Sequence, residues 1–307
     1  MWKIISGVGL GWSLGANDSA NIFGTGVTTG IIRYGTAVSL TAAFVLLGSL
    51  IEGPKCMATI GEIARLQPLG AFSCALASAI TIGILTFLAL PASTSQAIVG
   101  AILGVGIFSG SAEFSKLYKV FICWILTPVG GIMFAFVIYR VLGYLLDKTI
   151  ISIKRRNIIY TLGIYVAGCY GAYTLGSNNV ANVTGVYVGA GILSVGMASL
   201  IGGLSIAGGV LTYSKKVMMT VGKGIVPLDP FSAFIVVLAE ALTLHVFTQV
   251  GVPVSSSQAI VGAVVGVGLV GDVRTVSHKM LVKIGVGWLL TPVLAGGLTY
   301  LISPLIV

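Results

Sequence analysis

Two polar motifs, each embedded in apolar sequence, occur twice in this chain, in the same order and at nearly the same separation. The stretches GANDSANIFGTGVTTG (15–30) and GSNNVANVTGVYVGAG (176–191) are identical at seven of sixteen positions and lie 161 residues apart. The stretches PASTSQAIVGAILGVGI (91–107) and PVSSSQAIVGAVVGVGL (253–269) are identical at twelve of seventeen positions and lie 162 residues apart. Repeated landmarks at a near-constant offset predict a chain built from two homologous halves.

A basic stretch, LLDKTIISIKRRN, separates the two halves. It divides the chain into a first repeat at residues 1–145, a linker at 146–157 and a second repeat at 158–307. Of all residues, 56% are hydrophobic and 8% are charged, whereas a soluble domain has about 25% charged residues. Apolar runs of about 17 to 25 residues, the length that a helix needs to cross lipid, recur from end to end. The sequence therefore predicts an all-α polytopic protein of the cell (plasma) membrane.

The formal net charge of +9 does not indicate nucleic-acid binding. Lys and Arg stand at the ends of apolar runs and form no continuous basic face with interleaved aromatic residues. We interpret these residues as topology signals.

Each half is expected to contain a helix broken at the Asn-rich motif, a second helix, a short amphipathic piece, two helical arms and a long closing helix. The arms meet at the Pro-Ser motif, where Pro91 and Pro253 cannot continue a helix. Non-helical backbone at membrane depth is tolerated only inside protein or beside water. Residues 70–110 and 232–271 are therefore predicted to be re-entrant helical hairpins. Each half then crosses the membrane three times, and the two repeats are inverted relative to each other.

The basic residues favour a cytoplasmic linker, with both termini outside. This orientation places twelve of the seventeen basic residues in the cytoplasm. The twelve are Arg33, Arg140, Lys148, Lys154, Arg155, Arg156, Lys215, Lys216, Lys223, Arg274, Lys279 and Lys283. The other five are Lys3, Lys55, Arg65, Lys116 and Lys119.

The Asn-rich motif carries an ionisable residue where lipid penalises one. A charged Asp at the bilayer centre costs about 2.5 to 3.5 kcal/mol on insertion scales, so Asp18 is predicted to face an interior site rather than to serve only in helix packing. Carboxylate and carboxamide oxygens suit a hard cation such as Na⁺. The predicted cation-binding residues are Asn17, Asp18, Asn21, Asn178, Asn179 and Asn182. The proposed Na⁺ ligands among them are Asn17, Asp18, Asn21, Asn178 and Asn182.

The Pro-Ser motif offers the opposite chemistry. Its hydroxyl groups can cap the helical arm that follows, which leaves N–H groups and the positive end of the helix dipole directed at a cavity. A helix N-terminus surrounded by hydroxyl donors is an anion site, although the same serines could merely satisfy their own backbone. The predicted anion-binding residues are Ser93, Thr94, Ser95, Gln96, Ser255, Ser256, Ser257, Gln258 and Asp18.

Three further residues are less decisive. Glu52 could be a coupling carboxylate or an interfacial charge, and Glu240 interrupts an apolar run at a position where the first half has Ser78. His245 is interpreted as structural. The glycine pairs of the second arms, Gly100 with Gly104 and Gly262 with Gly266, are typical of helix packing. The GWSLG stretch matches a Gly-x-Ser-x-Gly nucleophile pattern, which needs a strand, a sharp turn and a helix. Here the stretch lies along one predicted membrane helix, so we expect neither an enzyme nor a resident cofactor.

The motifs GANDSANIFGTGV and GSNNVANVTGVYV resemble the duplicated signature of the inorganic phosphate transporter (Pit) family. PASTSQAIVGA and PVSSSQAIVGA are similar to the paired hairpin motifs of that family. The resemblance covers nearly the whole chain and implies cation-coupled symport of phosphate with Na⁺ or H⁺, inverted repeats, extracellular termini and a homodimer. It also places Glu52 at the acidic coupling position of the first half.

Two departures from the family pattern bear on the substrate. Asn179 replaces the Asp of the second signature, and Tyr213 stands where an acid is expected opposite Glu52. Because some members of the family are sulfate permeases, sulfate is the alternative substrate. Asp18 favours phosphate, which carries a proton at neutral pH that a carboxylate can accept. A passive anion channel is a further alternative.

Overall fold

A computed structural model describes residues 2–63, 66–88, 92–112, 114–224, 228–270 and 278–306. Three residues named above, Arg65, Pro91 and Arg274, lie outside these ranges. The side chains of Lys116, Lys223, Lys279 and Lys283 are also outside the described part.

The described residues form a bundle of α-helices. The first half contributes α1 (Ile5–Thr28), α2 (Tyr34–Ile51), α3 (Pro54–Gly61), α4 (Pro68–Phe87), α5 (Thr94–Ser109) and α6 (Phe114–Thr149). The second half contributes α7 (Ile153–Gly189), α8 (Val195–Gly224), α9 (Pro230–Val250), α10 (Ser256–Val270) and α11 (His278–Ile306). The predicted linker is largely helical, because α6 and α7 extend into it from both sides.

Seven of the described helices are long and apolar enough to cross a membrane, namely α2, α4, α6, α7, α8, α9 and α11. The second arms α5 and α10 are shorter apolar helices. This pattern confirms the prediction of an all-α, multi-pass membrane protein. The helix–break–helix form of both hairpins is also present, with α4 and α5 in one and α9 and α10 in the other.

The predicted break in the Asn-rich helices is wrong. Helix α1 runs through residues 15–28 of the first signature, and α7 runs through residues 176–189 of the second. Asn competes with helical hydrogen bonds when its side chain turns back to its own backbone. Here Asn17 and Asn178 bond to the hairpins instead, so the helices continue. Both end near equivalent glycines with positive φ, Gly30 at 75° and Gly191 at 68°.

The two halves also differ after their second helix. In the first half, Gly53 and Pro54 separate α2 from the short helix α3. The equivalent residues in the second half are Ser214 and Lys215, which permit a helix, and α8 runs through them. The predicted short amphipathic piece is therefore separate only in the first half.

The helices pair across the two halves. Helix α1 packs on α8, and its repeat equivalent α7 packs on α2. Likewise α5 packs on α11 and α10 packs on α6. A Cβ on Gly100 would lie 2.2 Å from the carbonyl oxygen of Pro292, and one on Gly262 would lie 2.3 Å from that of Pro128. These close approaches confirm that the arm glycines serve helix packing.

Candidate anion and cation site

The first asparagine of each signature fastens the break of the hairpin in its own half. Asn17 donates from Nδ2 to Thr86 Oγ1 (3.0 Å), and its Oδ1 accepts from the backbone nitrogen of Ala92 (3.3 Å). Asn178 donates to Thr248 Oγ1 (3.1 Å), and its Oδ1 accepts from the backbone nitrogen of Val254 (2.8 Å). Each carboxamide thus joins the end of the first arm to the start of the second. A role of either residue as a Na⁺ ligand stays a prediction.

The first serine of each Pro-Ser motif caps the arm that follows. Ser93 Oγ accepts from the backbone nitrogen of Gln96, and Ser255 Oγ accepts from that of Gln258, each at 3.3 Å. The capping role predicted from the sequence is therefore confirmed. A cap satisfies only part of the free N–H groups at a helix start, and both helix starts are buried in the protein.

The first signature also contacts the hairpin of the other half. Asn21 Nδ2 donates to Ser256 Oγ at 3.3 Å, and the carboxyl group of Asp18 shares a hydrogen bond with Ser256. Asp18 is 2% exposed, which confirms that its carboxyl group is buried inside the protein. The signature of one half and the serine motif of the other therefore form one site.

The equivalent contact on the other side is not made. Asn182, the counterpart of Asn21, donates to Asn179 Oδ1 at 2.9 Å. Thr94, the counterpart of Ser256, has a buried hydroxyl without a partner among the described residues. The site is therefore asymmetric, although its two halves carry related sequences.

Several buried polar atoms of these motifs find no hydrogen-bond partner within the described ranges. They are Asp18 Oδ1, Thr94 Oγ1, Gln96 Oε1, Asn179 Nδ2, Asn182 Oδ1 and Gln258 Oε1. A buried polar group left unpaired costs about 1–3 kcal/mol, so a group of them in two paired motifs indicates a place for a polar ligand. Carboxylate and carboxamide oxygens fit Na⁺, and the hydroxyls and helix starts fit an oxyanion. No cluster suited to a transition metal occurs in the part of the chain that the structure describes.

Glu52 belongs to a separate polar network. Its Oε1 accepts from Lys55 Nζ (2.7 Å) and Gln249 Nε2 (3.2 Å), and His245 Nε2 lies 3.5 Å from its Oε2. His245 Nδ1 in turn lies 2.7 Å from the hydroxyl of Tyr170. Among the described contacts, none joins Glu52 to the signatures or the serine motifs. Its role in coupling stays a prediction.

The structure adds Glu240 to the candidate residues. Its side chain is 1% exposed, and neither carboxylate oxygen has a partner among the described residues. Asp18 is a neighbouring buried acid, since Ile22, one turn after Asp18, and Val237, one turn before Glu240, both lie beside Gly171 of α7. The sequence showed an acid in an apolar run but not what lies beside it.

This fold and its enclosed polar site, built from two repeated motifs, define a multi-pass membrane transport protein. Known proteins support that class. A protein of Methanocaldococcus jannaschii named "putative phosphate permease" is 29% identical over 296 residues, covering 95% of this chain and 93% of that protein. The sulfate permease CysP of Bacillus subtilis is 28% identical over 299 residues, covering 95% of this chain and 84% of that protein.

A solved structure, described as the sodium-dependent phosphate transporter, has the same fold. It superposes with a TM-score of 0.87 at 23% identity and covers 99% of this chain and 98% of its own. The model of the phosphate transporter family matches residues 14–299. This chain belongs to that family.

Proposed function

We propose that this protein is a secondary active transporter that imports inorganic phosphate together with Na⁺ or H⁺ by alternating access. The observation that carries the proposal is the contact of Asp18 and Asn21 with Ser256. It combines cation-binding oxygens from one half with an anion-binding helix start from the other. Membership of the phosphate transporter family supports the substrate class.

In this proposal the anion lies between the two serine motifs. The hydroxyls of Thr94, Ser95 and Ser257 and the free N–H groups at the starts of α5 and α10 donate to its oxygens, and the helix dipoles offset its charge. Phosphate at neutral pH also carries a P–OH group that can donate to the carboxylate of Asp18. The cation offsets the charge of Asp18, which would otherwise repel the anion.

The asymmetry of the site supports alternating access. The Asn21–Ser256 contact closes one side, whereas its equivalent between Asn182 and Thr94 is open. Two inverted repeats can exchange these two arrangements, so that the contact made on one side is broken as the other forms. The inverted orientation of the repeats and assembly as a homodimer in the plasma membrane are parts of this proposal.

Sulfate transport is the second candidate. The similarity to a sulfate permease favours it, and so does Asn179, because the second signature then lacks a carboxylate that could accept a proton from phosphate. Sulfate carries no such proton at neutral pH, so its binding site needs only hydrogen-bond donors.

Uptake into proteoliposomes tests these alternatives. Radiolabelled phosphate and sulfate are offered separately, with the Na⁺ gradient and the pH gradient varied independently. We expect phosphate to accumulate against its gradient and the accumulation to collapse when the coupling gradient is dissipated. Accumulation of sulfate alone would establish the second candidate, and equilibration without accumulation would indicate a passive channel.

A further inference from the structure

Glu240 lies on the face of α9 that meets the two signature helices. Val237, one turn earlier, packs with Ile22 of α1 over Gly171 of α7. One turn later, the carbonyl oxygen of Leu244 lies 3.4 Å from Asn178 Nδ2. Residues three or four apart share a helix face. Glu240 is therefore placed between the two signature helices, beside the turn that carries Asp18.

The repeat shows what is unusual about this position. The equivalent of Glu240 in the first half is Ser78, and the equivalent of Asp18 in the second half is Asn179. Ser78 is also buried, with its hydroxyl unpaired in the described part of the chain. One side of the site therefore carries two carboxylates, and the other side carries two neutral polar groups.

We propose that Glu240 is a coupling carboxylate, which together with Asp18 holds one monovalent cation, Na⁺ or H⁺, and replaces the acid that is absent at position 179. Two neighbouring buried carboxylates, with Asp18 Oδ1 and both oxygens of Glu240 unpaired among the described residues, cannot both stay charged unless a cation compensates them. The unpaired oxygens of Glu240 and Asp18 are hard ligands of the kind that Na⁺ takes, and either could instead carry a proton. The inference rests on the proposed function for its role in transport but not for cation binding itself.

Few other ionisable groups surround Glu240. From α1 the facing group is Asp18, and α10 contains no ionisable side chain. Helix α7 contributes Tyr170 and Tyr173, which lie beside His245 farther along α9. The remaining ionisable side chains on elements packed against α9 are Lys55 and Cys56 of α3, Tyr118, Lys119, Cys123, Tyr139, Arg140, Tyr144, Asp147 and Lys148 of α6, and Lys154, Arg155, Arg156, Tyr160, Tyr165, Cys169 and Tyr187 of α7.

Cation binding can be measured without transport. The thermal stability of the purified protein is titrated with NaCl at constant ionic strength, with choline chloride as the balance, at several pH values and without anion substrate. A ligand that binds only the folded state raises the Tm, and the rise grows with the logarithm of the ligand concentration relative to its Kd. We expect Glu240→Gln, an isosteric change, to weaken the apparent affinity for the cation about tenfold or more, since one carboxylate is removed from the ion. Thr243→Val, on the neighbouring turn of α9, is the matched control and should leave the titration unchanged.

The titrations of the Tm with NaCl and with pH distinguish Na⁺ from H⁺. If the cation is Na⁺, the NaCl titration shifts in Glu240→Gln. If it is H⁺, NaCl has no effect on either protein, and the pH dependence of the wild-type Tm is reduced in the variant. A Glu240→Gln protein that folds and matches the wild type in both titrations would overturn the inference, whatever anion is transported.

A second variant tests whether Glu240 replaces the acid that is absent at position 179. Adding Asn179→Asp to Glu240→Gln restores the number of carboxylates in the site, on the other side. We expect the double variant to regain cation-dependent stabilisation, and in proteoliposomes to regain the charge moved per anion that the single variant loses. If the double variant remains as impaired as Glu240→Gln, the carboxylate at 240 does not substitute for one at 179. Loss of cation-dependent stabilisation in Glu240→Gln would support cation binding at Glu240 even if phosphate uptake failed altogether.

Discussion

The side chain of Asn178 holds both ends of one break in the backbone: its oxygen lies 2.8 Å from the nitrogen of Val254, and its amide nitrogen lies 3.2 Å from the carbonyl oxygen of Val252. A carboxamide suits this place because it offers a donor and an acceptor on one rigid group. The hairpin of the second half is thereby positioned by a residue of α7, 76 positions earlier in the chain than Val254.

We expect Asn178→Asp to lower the Tm and to abolish uptake. The carboxylate keeps the acceptor for Val254 but loses the donor to Val252 and Thr248, and a buried unpaired polar group costs about 1–3 kcal/mol. Thermal unfolding in detergent measures the effect. Asn157→Asp makes the same chemical change at an exposed position near the start of α7 and should leave the Tm unchanged. Equal Tm values for the two variants would argue against a stabilising role of the hydrogen bonds that Asn178 makes to the hairpin.

Asp18→Asn should abolish coupled uptake while expression and folding remain largely intact. The amide is isosteric, but it removes the only signature carboxylate, since the equivalent residue is already Asn179. Uptake and membrane expression are measured together. Normal cation-dependent uptake by the variant would show that Asp18 takes no part in coupling.

Gly100→Ala should destabilise the protein by about 1–3 kcal/mol, the usual cost of overpacking. The new Cβ would lie 2.2 Å from the carbonyl oxygen of Pro292, and neither backbone can yield without moving a helix. At Gly297 on α11, a Cβ would meet no atom of the described residues within 4 Å. Gly297→Ala should therefore be neutral or slightly stabilising, because Ala favours helix over Gly. A similar Tm for both variants would contradict the close packing of α5 on α11.

The network around Glu52 predicts a pH dependence. Burial raises the pKa of this carboxyl group, but hydrogen bonds from Lys55 and Gln249 and the nearby charges of His245 and Lys55 bring the pKa below its usual range. The stabilisation is therefore fully present above the unfolded-state pKa of about 4.3 and is lost as the pH falls through the lower folded-state value.

We expect Glu52→Gln to lower stability by at most about 1 kcal/mol near neutral pH, as for partly exposed ion pairs. The difference in Tm from the wild type should shrink as the pH falls below about pH 4. A difference that grows over this acid range would have the wrong sign for this mechanism.

The basic linker should be accessible only from the cytoplasm. Ile151 is 92% exposed, so Ile151→Cys in a cysteine-free background offers a reactive thiol there. An impermeant maleimide should label it only from the inside. Ser194→Cys, in the exposed turn at the other end of α7, should be labelled only from the outside. Labelling of the linker cysteine from outside would reverse the topology.

Much of this architecture could be predicted from the sequence because the Asn-rich and Pro-Ser motifs each occur in both halves of the chain. The repeated Pro-Ser motif located both hairpin breaks and their caps, and an acid in an apolar segment located Asp18 in the interior. The continuity of α8 was also open to prediction, because Ser214 and Lys215 lack the Gly-Pro pair found at Gly53 and Pro54.

Other features depend on contacts that no local pattern reveals. The unbroken course of α1 depends on Thr86 and Ala92, which lie 69 and 75 positions from Asn17. Glu240 could be noticed as an anomaly in the repeat, but its proximity to Asp18 arises only when α9 packs on α1 and α7.

The second arm of each half packs on the closing helix of the other half, and this packing sets an order for biosynthesis. Gly100 and Gly104 of α5 pack on Pro292 and Gly296 of α11, the last helix described. When α5 leaves the ribosome, nearly two hundred residues up to the end of α11 have not yet been synthesised. The glycine face of α5 is therefore in the membrane before the surface of α11 that packs against it exists. The first hairpin is therefore among the earlier elements to be synthesised and among the last to be completed, and a nascent chain halted at the linker would hold neither finished hairpin.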